Sequence, residues 1–487
     1  MELVYLWIEN HKNLVDVGFH FAGSLDCQYD QRQNILTIKE GLFSLPQNFF
    51  DENISISAMV GKNQSGKSNA LEVIASYYNE TTRKHIKVFL IDNVIHLWCT
   101  DTVEPVIKNE TSHSIKKITS IETIIYSLDI LKYKPVDDYF LYFTTRYENY
   151  NILTEDISMT LEHFTMSNLL QGITENIVEY ALRNGTESLA FKFEQIHIIG
   201  NPEEYIEKIH HGESLEQLKA YYKKDAGKNI LLRIETLDEG KYKTLKELIE
   251  RLFDCDQKQY STTISLSELS NILNRLGDQA IELLSTHLFY FRIEDHDEKT
   301  FSDFSSGERN FILQNTFLAN KIARCKDPHI LILIDEPDVT LHPEWQRQYI
   351  KKLIDYHKSV KNKSLHFIIT THSPFILSDI PNPNIAFLDT DSQGYCQVFS
   401  GLADKKKTFG ANIHTLLTDS FFMKNGLVGA FAKEKIEAVI NFLNDKPLTS
   451  VKTIQDAMFC TDLIGEPIIK NQLIQMIEQK ERQLKND

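Results

Sequence analysis

A short segment near the start of the chain combines glycines, a lysine and a serine at the spacing of a phosphate-binding loop. It reads Gly-Lys-Asn-Gln-Ser-Gly-Lys-Ser over residues 61–68. The glycines permit a tight backbone path that turns N–H groups toward phosphate oxygens, and a helix N-terminus adds its positive dipole end. We expect Lys67 to reach the β and γ phosphates of a nucleotide and the Ser68 hydroxyl to bind Mg²⁺. The predicted nucleotide-binding residues are Gly61, Lys62, Asn63, Gln64, Ser65, Gly66, Lys67 and Ser68.

The context of this segment separates it from an ordinary turn. A glycine-containing turn before a helix is the alternative interpretation of the bare pattern. Here the apolar stretch ISISAMV (54–60) predicts a strand before the loop, and residues 66–78 predict a helix after it. That combination favours phosphate binding.

A second segment, Leu-Ile-Leu-Ile-Asp-Glu over residues 331–336, is an apolar strand that ends in two carboxylates. Buried strands of α/β sheets are continuously apolar, and ligands bind beyond their carboxyl ends. Asp335 is predicted to hold the metal, and Glu336 to orient or deprotonate an attacking water. An acidic turn after a buried strand is the alternative, which the phosphate loop disfavours.

Two further motifs flank this strand in the chain. Ser306 and Gly307 lie in Phe-Ser-Ser-Gly-Glu (304–308), just before a predicted helix, where a hydroxyl and an N–H can cap a γ-phosphate. An ordinary helix cap with a capping-box carboxylate is the alternative. His372 ends the predicted strand LHFIITT (365–371) and is placed to contact the γ-phosphate. A histidine with only a hydrogen-bonding role is the alternative there.

Composition bounds the class of protein. The chain has 487 residues, 42% hydrophobic and 25% charged, which is typical of a globular protein. We find no apolar run of membrane-spanning length and no signal peptide, and we expect a cytoplasmic protein without a membrane partner. Its six cysteines are far apart and predict no metal site. A formal net charge of −16 means that nucleic acid would need a local basic patch, and the lysine run at 405–407 is more typical of a solvated loop.

The elements that must position these motifs form four predicted segments. Residues 1–150 read as short strands around one central helix and are predicted to form the N-terminal lobe of the domain that carries the phosphate loop. Residues 151–295 form a compact, mainly helical insertion. Residues 296–405 alternate strand and helix, which predicts a C-terminal lobe with a parallel sheet that carries the Phe-Ser-Ser-Gly-Glu segment, the carboxylate strand and His372. Residues 406–487 predict helices. The fold class is therefore α/β, a mixed sheet with helices.

Together, the four motifs resemble those of ABC-type ATPases related to chromosome-maintenance and break-repair heads. The chain is similar in particular to compact bacterial "AAA family" ATPases of antiphage defence. IDEPDVTLHPEWQRQYI (334–350) resembles that subgroup because Leu-His-Pro occupies the D-loop position. The stretches 5–14 and 408–436 resemble its opening strand and its C-terminal helices. The insertion is not covered by the resemblance, and no Q-loop glutamine is evident after YFLYFTT (139–145).

This resemblance implies an ATPase that uses ATP and Mg²⁺, dimerises around ATP, and works with a separately encoded nuclease or toxin, as in Septu, PARIS or retron systems. Related nucleases append a Toprim domain. Asp389 and Asp391 superficially offer its carboxylate pair, but fewer than 100 residues follow Asp391 and the Glu-Gly segment is missing. We interpret them as a turn after a strand.

Three functions remain open from the sequence. The first is an ATP-dependent sensor or scaffold that controls an effector. The second is a DNA repair or recombination ATPase that acts on DNA itself, which a basic groove would favour. The third is a structural platform locked by bound nucleotide, which very slow turnover would favour.

Overall fold

The structure is a computed structural model of the chain. It describes residues 1–43, 45–46, 48–75, 84–100, 103–117, 124–128, 177–184, 193, 195–200, 203–225, 237–277, 280–284, 288–293, 305–325, 328–339, 341–358, 360, 362–400, 407–419, 428–446 and 450–486.

The strands form where apolar and β-branched residues alternate or run together. Their bounds, in chain order, are β1 (Glu2–His11), β2 (Leu14–His20), β3 (Leu25–Asp30), β4 (Ile35–Glu40), β5 (Ile54–Gly61), β6 (His85–Ile91), β7 (Val94–Cys99), β8 (Val106–Glu110), β9 (Ser114–Lys117), β10 (Ile124–Leu128), β11 (Gln195–Gly200), β12 (Ser261–Ser265), β13 (Phe289–Ile293), β14 (His329–Asp335), β15 (Ser364–Thr371), β16 (Ile385–Thr390) and β17 (Cys396–Ser400).

The sheet that carries the predicted motifs has six strands, in the order β10-β14-β15-β5-β16-β17. All neighbours in it are parallel except β16 and β17, which are antiparallel. The phosphate-loop strand β5 and the carboxylate strand β14 therefore flank β15, and all three end at the same edge. This order brings the phosphate loop, the two carboxylates that follow β14 and His372 together at that edge.

Three smaller sheets accompany it. One has the order β2-β1-β6-β7-β9, one has the order β3-β4-β8, and β12-β11-β13 is an antiparallel sheet within the region predicted to be an insertion. A buried core joins β1 and β2 to the helix that follows β5 and to the six-stranded sheet. A second core fills the space between the first two of these smaller sheets. The predicted α/β class with mixed sheets and helices is confirmed.

The helices are α1 (Lys67–Ala75), α2 (Glu203–His210), α3 (Leu215–Asp225), α4 (Glu239–Leu252), α5 (Leu266–Leu276), α6 (Ala280–Leu283), α7 (Ser306–Arg324), α8 (Pro343–His357), α9 (Pro374–Leu377), α10 (Ile413–Asp419), α11 (Ala430–Leu443), α12 (Ile454–Asp462) and α13 (Pro467–Asn486). Residues 177–184 are also helical. Within the described residues, no helix is both long and apolar enough to cross a membrane.

The chain divides into two compact units, Met1–Phe421 and Phe422–Asp487. The second unit contains α11, α12 and α13, which enclose their own small apolar core. The predicted boundaries at residues 150, 295 and 405 are not tested by this division and stay predictions.

Most predicted elements near the site are observed. α8 spans the predicted 343–357, and the strands before and after it match their predictions. The predicted helix at 66–78 is described from Lys67 to Ala75, and its end lies outside the described residues. The strands β3, β8, β9 and β17 were not predicted.

Candidate nucleotide-binding site

The phosphate loop connects β5 to α1. Gly61, Ser65, Gly66 and Lys67 are buried, whereas Lys62, Asn63, Gln64 and Ser68 are exposed. Gly66 has a φ of +103°, and a Cβ there would lie 2.6 Å from Leu14 Cδ2. Glycine is therefore required at this position by its backbone conformation and by the close approach of the β1–β2 hairpin.

The Lys67 ammonium lies inside the loop. Its Nζ donates hydrogen bonds of 3.1 Å to the carbonyl oxygens of Gly61 and Lys62. It also lies 4.0 Å from Glu336 Oε1. Burial lowers the pKa of Lys67, while the nearby carboxylates of Glu336 and Asp335 act in the opposite direction. A phosphate group that replaced the two carbonyls would be a charged partner for this buried cation.

The Ser65 hydroxyl is a buried polar group of the loop that a ligand could satisfy. The side chain is fully buried, and its Oγ has no hydrogen-bond partner among the described residues. Buried hydroxyl groups are normally hydrogen-bonded, because an unsatisfied one costs free energy. A bound phosphate group fits this loop chemically.

Asp335 joins the end of β14 to the phosphate loop. Its Oδ2 accepts a 2.9 Å hydrogen bond from Ser68 Oγ, and its Oδ1 accepts one from Thr370 Oγ1 on β15. A serine hydroxyl and an aspartate carboxylate are the oxygen ligands that Mg²⁺ prefers in phosphate-loop proteins. Ser68 and Asp335 could therefore hold the metal together.

Glu336 follows directly, with a φ of +48°, a conformation that is unfavourable for a residue with a Cβ. Its backbone N–H donates to Thr370 Oγ1 at 2.8 Å and to the Thr370 carbonyl at 3.1 Å, which holds the strained turn. The turn brings Glu336 Oε1 to 3.2 Å from His372 Nε2. Strained residues held by neighbouring strands are typical of functional sites.

The structure thus brings together Lys67, Ser68, Asp335, Glu336 and His372 at the edge shared by β5, β14 and β15. Ser306 and Gly307 are the first two residues of α7. The residue before them, Ser305, forms a capping box with Glu308, in which Glu308 N–H donates to Ser305 Oγ at 3.3 Å and Ser305 N–H donates to the carboxylate at 2.9 Å. The cap that was the alternative interpretation of this string is therefore present.

Several residues of the site were not predicted from the sequence. Asn13, in the β1–β2 hairpin, donates from Nδ2 to the Gln64 carbonyl at 2.9 Å and accepts from Asn69 Nδ2 at 2.8 Å. Thr370 Oγ1 donates to the Asp335 carboxylate at the end of β14 and accepts from the backbone N–H of Glu336, the next residue. For Thr370 the available signal was its position two residues before the predicted His372. The sequence contained no signal for Asn13, because its hydrogen-bond partners are more than 50 positions away.

Asp389, near the end of β16, and Asp391, just after it, also lie at this edge. Asp389 accepts hydrogen bonds of 2.9 and 3.2 Å from Lys62 Nζ in the phosphate loop. Asp391 Oδ1 accepts backbone N–H bonds from Gln393 and Tyr395, which is the predicted turn. No cluster of candidate metal ligands occurs in the part of the chain that the structure describes. The position expected for a Q-loop, after residue 145, lies outside that part.

Comparisons with known proteins identify a family for the chain. Residues 47–377, more than half of the chain, match the family model of the AAA ATPase domain. A retron Vc95 probable ATPase from Vibrio cholerae is 27% identical over 119 residues, 23% of this chain and 22% of that protein. A retron Ec83 probable ATPase from Escherichia coli is 45% identical over 58 residues, 12% and 10% of the two chains.

The Septu protein PtuA from Bacillus mycoides is 30% identical over 96 residues, 20% of this chain and 12% of that protein. The chain therefore spans less than a quarter of the length of these relatives. Among solved structures, the SMC head domain from Thermotoga maritima has a TM-score of 0.27 and 12% identity, over 82% of this chain and 99% of that one. The family resemblance seen in the sequence is confirmed, and the chain belongs to the AAA ATPase domain family.

Proposed function

We propose that this chain binds ATP with Mg²⁺ at the common edge of β5, β14 and β15 and hydrolyses the γ-phosphate bond. The observation that carries the proposal is the convergence of a phosphate loop and an acid–base pair. Lys67 Nζ lies 4.0 Å from Glu336 Oε1, which lies 3.2 Å from His372 Nε2. The residues proposed to bind phosphate, to activate water and to contact the γ-phosphate therefore lie next to one another.

Each residue has a role that follows from its position. Lys67 pairs with the β and γ phosphates, and the loop N–H groups bind their oxygens. Glu336 accepts the proton of the attacking water, and His372 holds Glu336 and contacts the γ-phosphate. Ser68 and Asp335 are the residues that would hold Mg²⁺, which neutralises charge on the phosphate oxygens.

We further propose that ATP joins two copies of the chain. Ser306 and Gly307 open a helix of 19 residues, whose N-terminus carries a partial positive charge suited to a phosphate. In this proposal they cap the γ-phosphate held by Lys67 of the other copy. The nucleotide would then act as the link between two heads.

The relatives' names support a role in defence. Two are named as retron probable ATPases and one as the Septu protein PtuA. We propose that the ATP-linked dimer is a sensor or scaffold that controls a separately encoded nuclease or toxin. To test this proposal, the chain is co-expressed with the proteins encoded by neighbouring genes and is then purified with and without ATP. A partner retained in only one nucleotide state would support the proposal, and an absence of any retained neighbour in both states would count against it.

ATP hydrolysis itself is tested with Lys67→Ala. The substitution removes the buried cation that pairs with the triphosphate, and we expect ATP binding to be lost in isothermal titration. Lys351→Ala removes an exposed lysine of α8 and serves as the control. Unchanged ATP affinity in Lys67→Ala would refute the assignment of this loop.

A further inference from the structure

A buried aspartate, Asp338, accepts a hydrogen bond from the backbone of His372. The Asp338 side chain is 6% exposed. Its Oδ1 accepts a 2.7 Å hydrogen bond from Thr371 Oγ1, and its Oδ2 accepts a 3.2 Å bond from the His372 backbone N–H. One carboxylate oxygen therefore binds the last residue of β15, Thr371, and the other binds His372, which follows the strand.

A glutamine of α8 forms hydrogen bonds with both the loop that contains Asp338 and the segment that contains His372. Gln346 Nε2 donates to the carbonyl oxygens of Asp338 at 3.2 Å and Leu341 at 2.9 Å. Its Oε1 accepts a 2.8 Å hydrogen bond from Ser373 Oγ. One amide group thus links the loop that follows β14 to the residue that follows His372.

The two sets of contacts form one closed network. The Ser373 backbone N–H donates to Thr371 Oγ1 at 2.9 Å, which connects the Gln346 contact to the Asp338 contact. Burial raises the pKa of Asp338, whereas its hydrogen bonds oppose this shift. Buried polar groups that are fully paired in this way hold a segment in one geometry, and the loss of one partner leaves others unsatisfied.

From this network we infer that Asp338 and Gln346 are positioning residues for hydrolysis. They fix the backbone on both sides of His372 relative to the loop that begins with Glu336, and so keep His372 Nε2 within hydrogen-bond distance of Glu336. Neither side chain contacts the phosphate loop in the hydrogen bonds described. The inference rests on the proposed ATP hydrolysis at this site, and it assigns these two residues to turnover rather than to nucleotide binding.

Two isosteric substitutions test it. Asp338→Asn replaces one acceptor oxygen with a donor, so one of the two bonds to Thr371 and His372 is lost. Gln346→Glu keeps the acceptor for Ser373 but removes both N–H donors. We expect each to lower kcat by about 10- to 100-fold, as small misplacements of reacting groups do, with ATP affinity unchanged.

Gln348→Glu is the matched control. It makes the same chemical change on the same helix, at a residue whose amide donates to Glu344 of that helix. Its kcat should equal that of the wild type. Circular dichroism at the assay temperature verifies folding, and Gln346→Glu carries the test if Asp338→Asn does not fold.

Repeating both substitutions in a His372→Ala background separates positioning from a general structural effect. If Asp338 and Gln346 act through His372, they should lower kcat no further there. An equal loss of kcat in both backgrounds, or wild-type kcat in both single variants, would overturn the inference while leaving the proposed function standing. Wild-type kcat in His372→Ala would remove the role of His372 and with it this inference, whereas loss of binding in Lys67→Ala would still support the nucleotide site.

Discussion

Ser68 and Asp335 are 267 positions apart in the chain, yet Ser68 Oγ donates a 2.9 Å hydrogen bond to Asp335 Oδ2. This bond connects the first turn of α1 to the end of β14, across the intervening strand β15. The other carboxylate oxygen is held by Thr370. Asp335 is thus oriented from both sides, as the ligands of metal ions usually are.

Thr370→Val should weaken Mg²⁺ binding, because it removes the hydroxyl that orients Asp335 while keeping the shape of the side chain. We expect the Mg²⁺ concentration for half-maximal ATPase activity to rise by about 10- to 100-fold. Thr244→Val, which removes an exposed hydroxyl bonded to the Gly240 carbonyl of its own helix, is the control. An unchanged Mg²⁺ requirement in Thr370→Val would show that Asp335 needs no such orientation.

Glu336→Gln should keep ATP binding and slow hydrolysis by roughly 10²- to 10⁴-fold, the usual contribution of a positioned general base. Glutamine has the same length and can occupy the strained turn, but it cannot accept the proton of the attacking water. Titration calorimetry and phosphate release measure the two effects, with the exposed Glu344→Gln as the control. Wild-type turnover in Glu336→Gln would move the role of base elsewhere, and His372 would be the next candidate.

The motifs were predictable because each is local. The phosphate loop, the apolar strand with its two carboxylates and the 343–357 helix are set by residues within about a dozen positions of one another, so spacing and periodicity identify them. α8 also has the expected proline at its first position. These signals fixed the placement of Lys67, Asp335 and Glu336 at strand ends.

Long-range contacts could not be predicted in the same way. Asn13 contacts Gln64, Asp338 contacts His372, and Lys62 pairs with Asp389 only because the strand order brings their loops together. A single sequence does not specify which of many asparagines or aspartates has such a partner. β3 was overlooked for a related reason, since LDCQYD alternates weakly and is stabilised by pairing with β4.

His366 should make the stability of the fold depend on pH. It is fully buried in β15, where its Nδ1 accepts from the Leu3 backbone N–H at 3.0 Å and its Nε2 lies 2.8 Å from Ser57 Oγ. Ser57 Oγ donates in turn to the Phe21 carbonyl, so Nε2 carries the proton and Nδ1 has none. Burial lowers the pKa of His366 to about 3.

The direction in which stability changes with pH follows from the lowered pKa of His366. Above pH 6.5 both the folded and the unfolded states hold the neutral ring, whereas between about pH 6.5 and 3 only the unfolded state binds the proton. Stability is therefore lost as the pH falls through this window, by about 1.4 kcal/mol per pH unit for one such group. His357, whose pKa is also lowered to about 3 by burial, adds a second contribution.

His366→Asn should reduce this pH dependence, because asparagine can still accept from Leu3 but does not titrate. Urea unfolding between pH 7.5 and 4.5 should give a shallower fall in stability for the variant than for the wild type, although the variant is less stable at pH 7.5. The exposed His414→Asn should leave the slope unchanged. Equal slopes for wild type and His366→Asn would show that His366 is not the group that couples folding to pH.

Ser306→Arg tests the ATP-linked dimer. In the proposal, Ser306 and Gly307 of one copy contact the γ-phosphate held by Lys67 of the other. An arginine at the first position of α7 would put bulk into that contact, whereas the helix cap formed by Ser305 and Glu308 would remain. We therefore expect the variant to bind ATP through its own phosphate loop but not to dimerise.

A ligand shared across an interface stabilises the dimer by mass action, so the dimer should strengthen with ATP concentration. The effect should be largest in Glu336→Gln, where hydrolysis does not remove the ligand. Light scattering should then show ATP-dependent dimers for Glu336→Gln and monomers for Glu336→Gln combined with Ser306→Arg, at the same ATP affinity per chain. If Ser306→Arg alone hydrolyses ATP at the wild-type rate as a monomer, the nucleotide is not shared between copies, and the Ser-Ser-Gly-Glu string is a helix cap and nothing more.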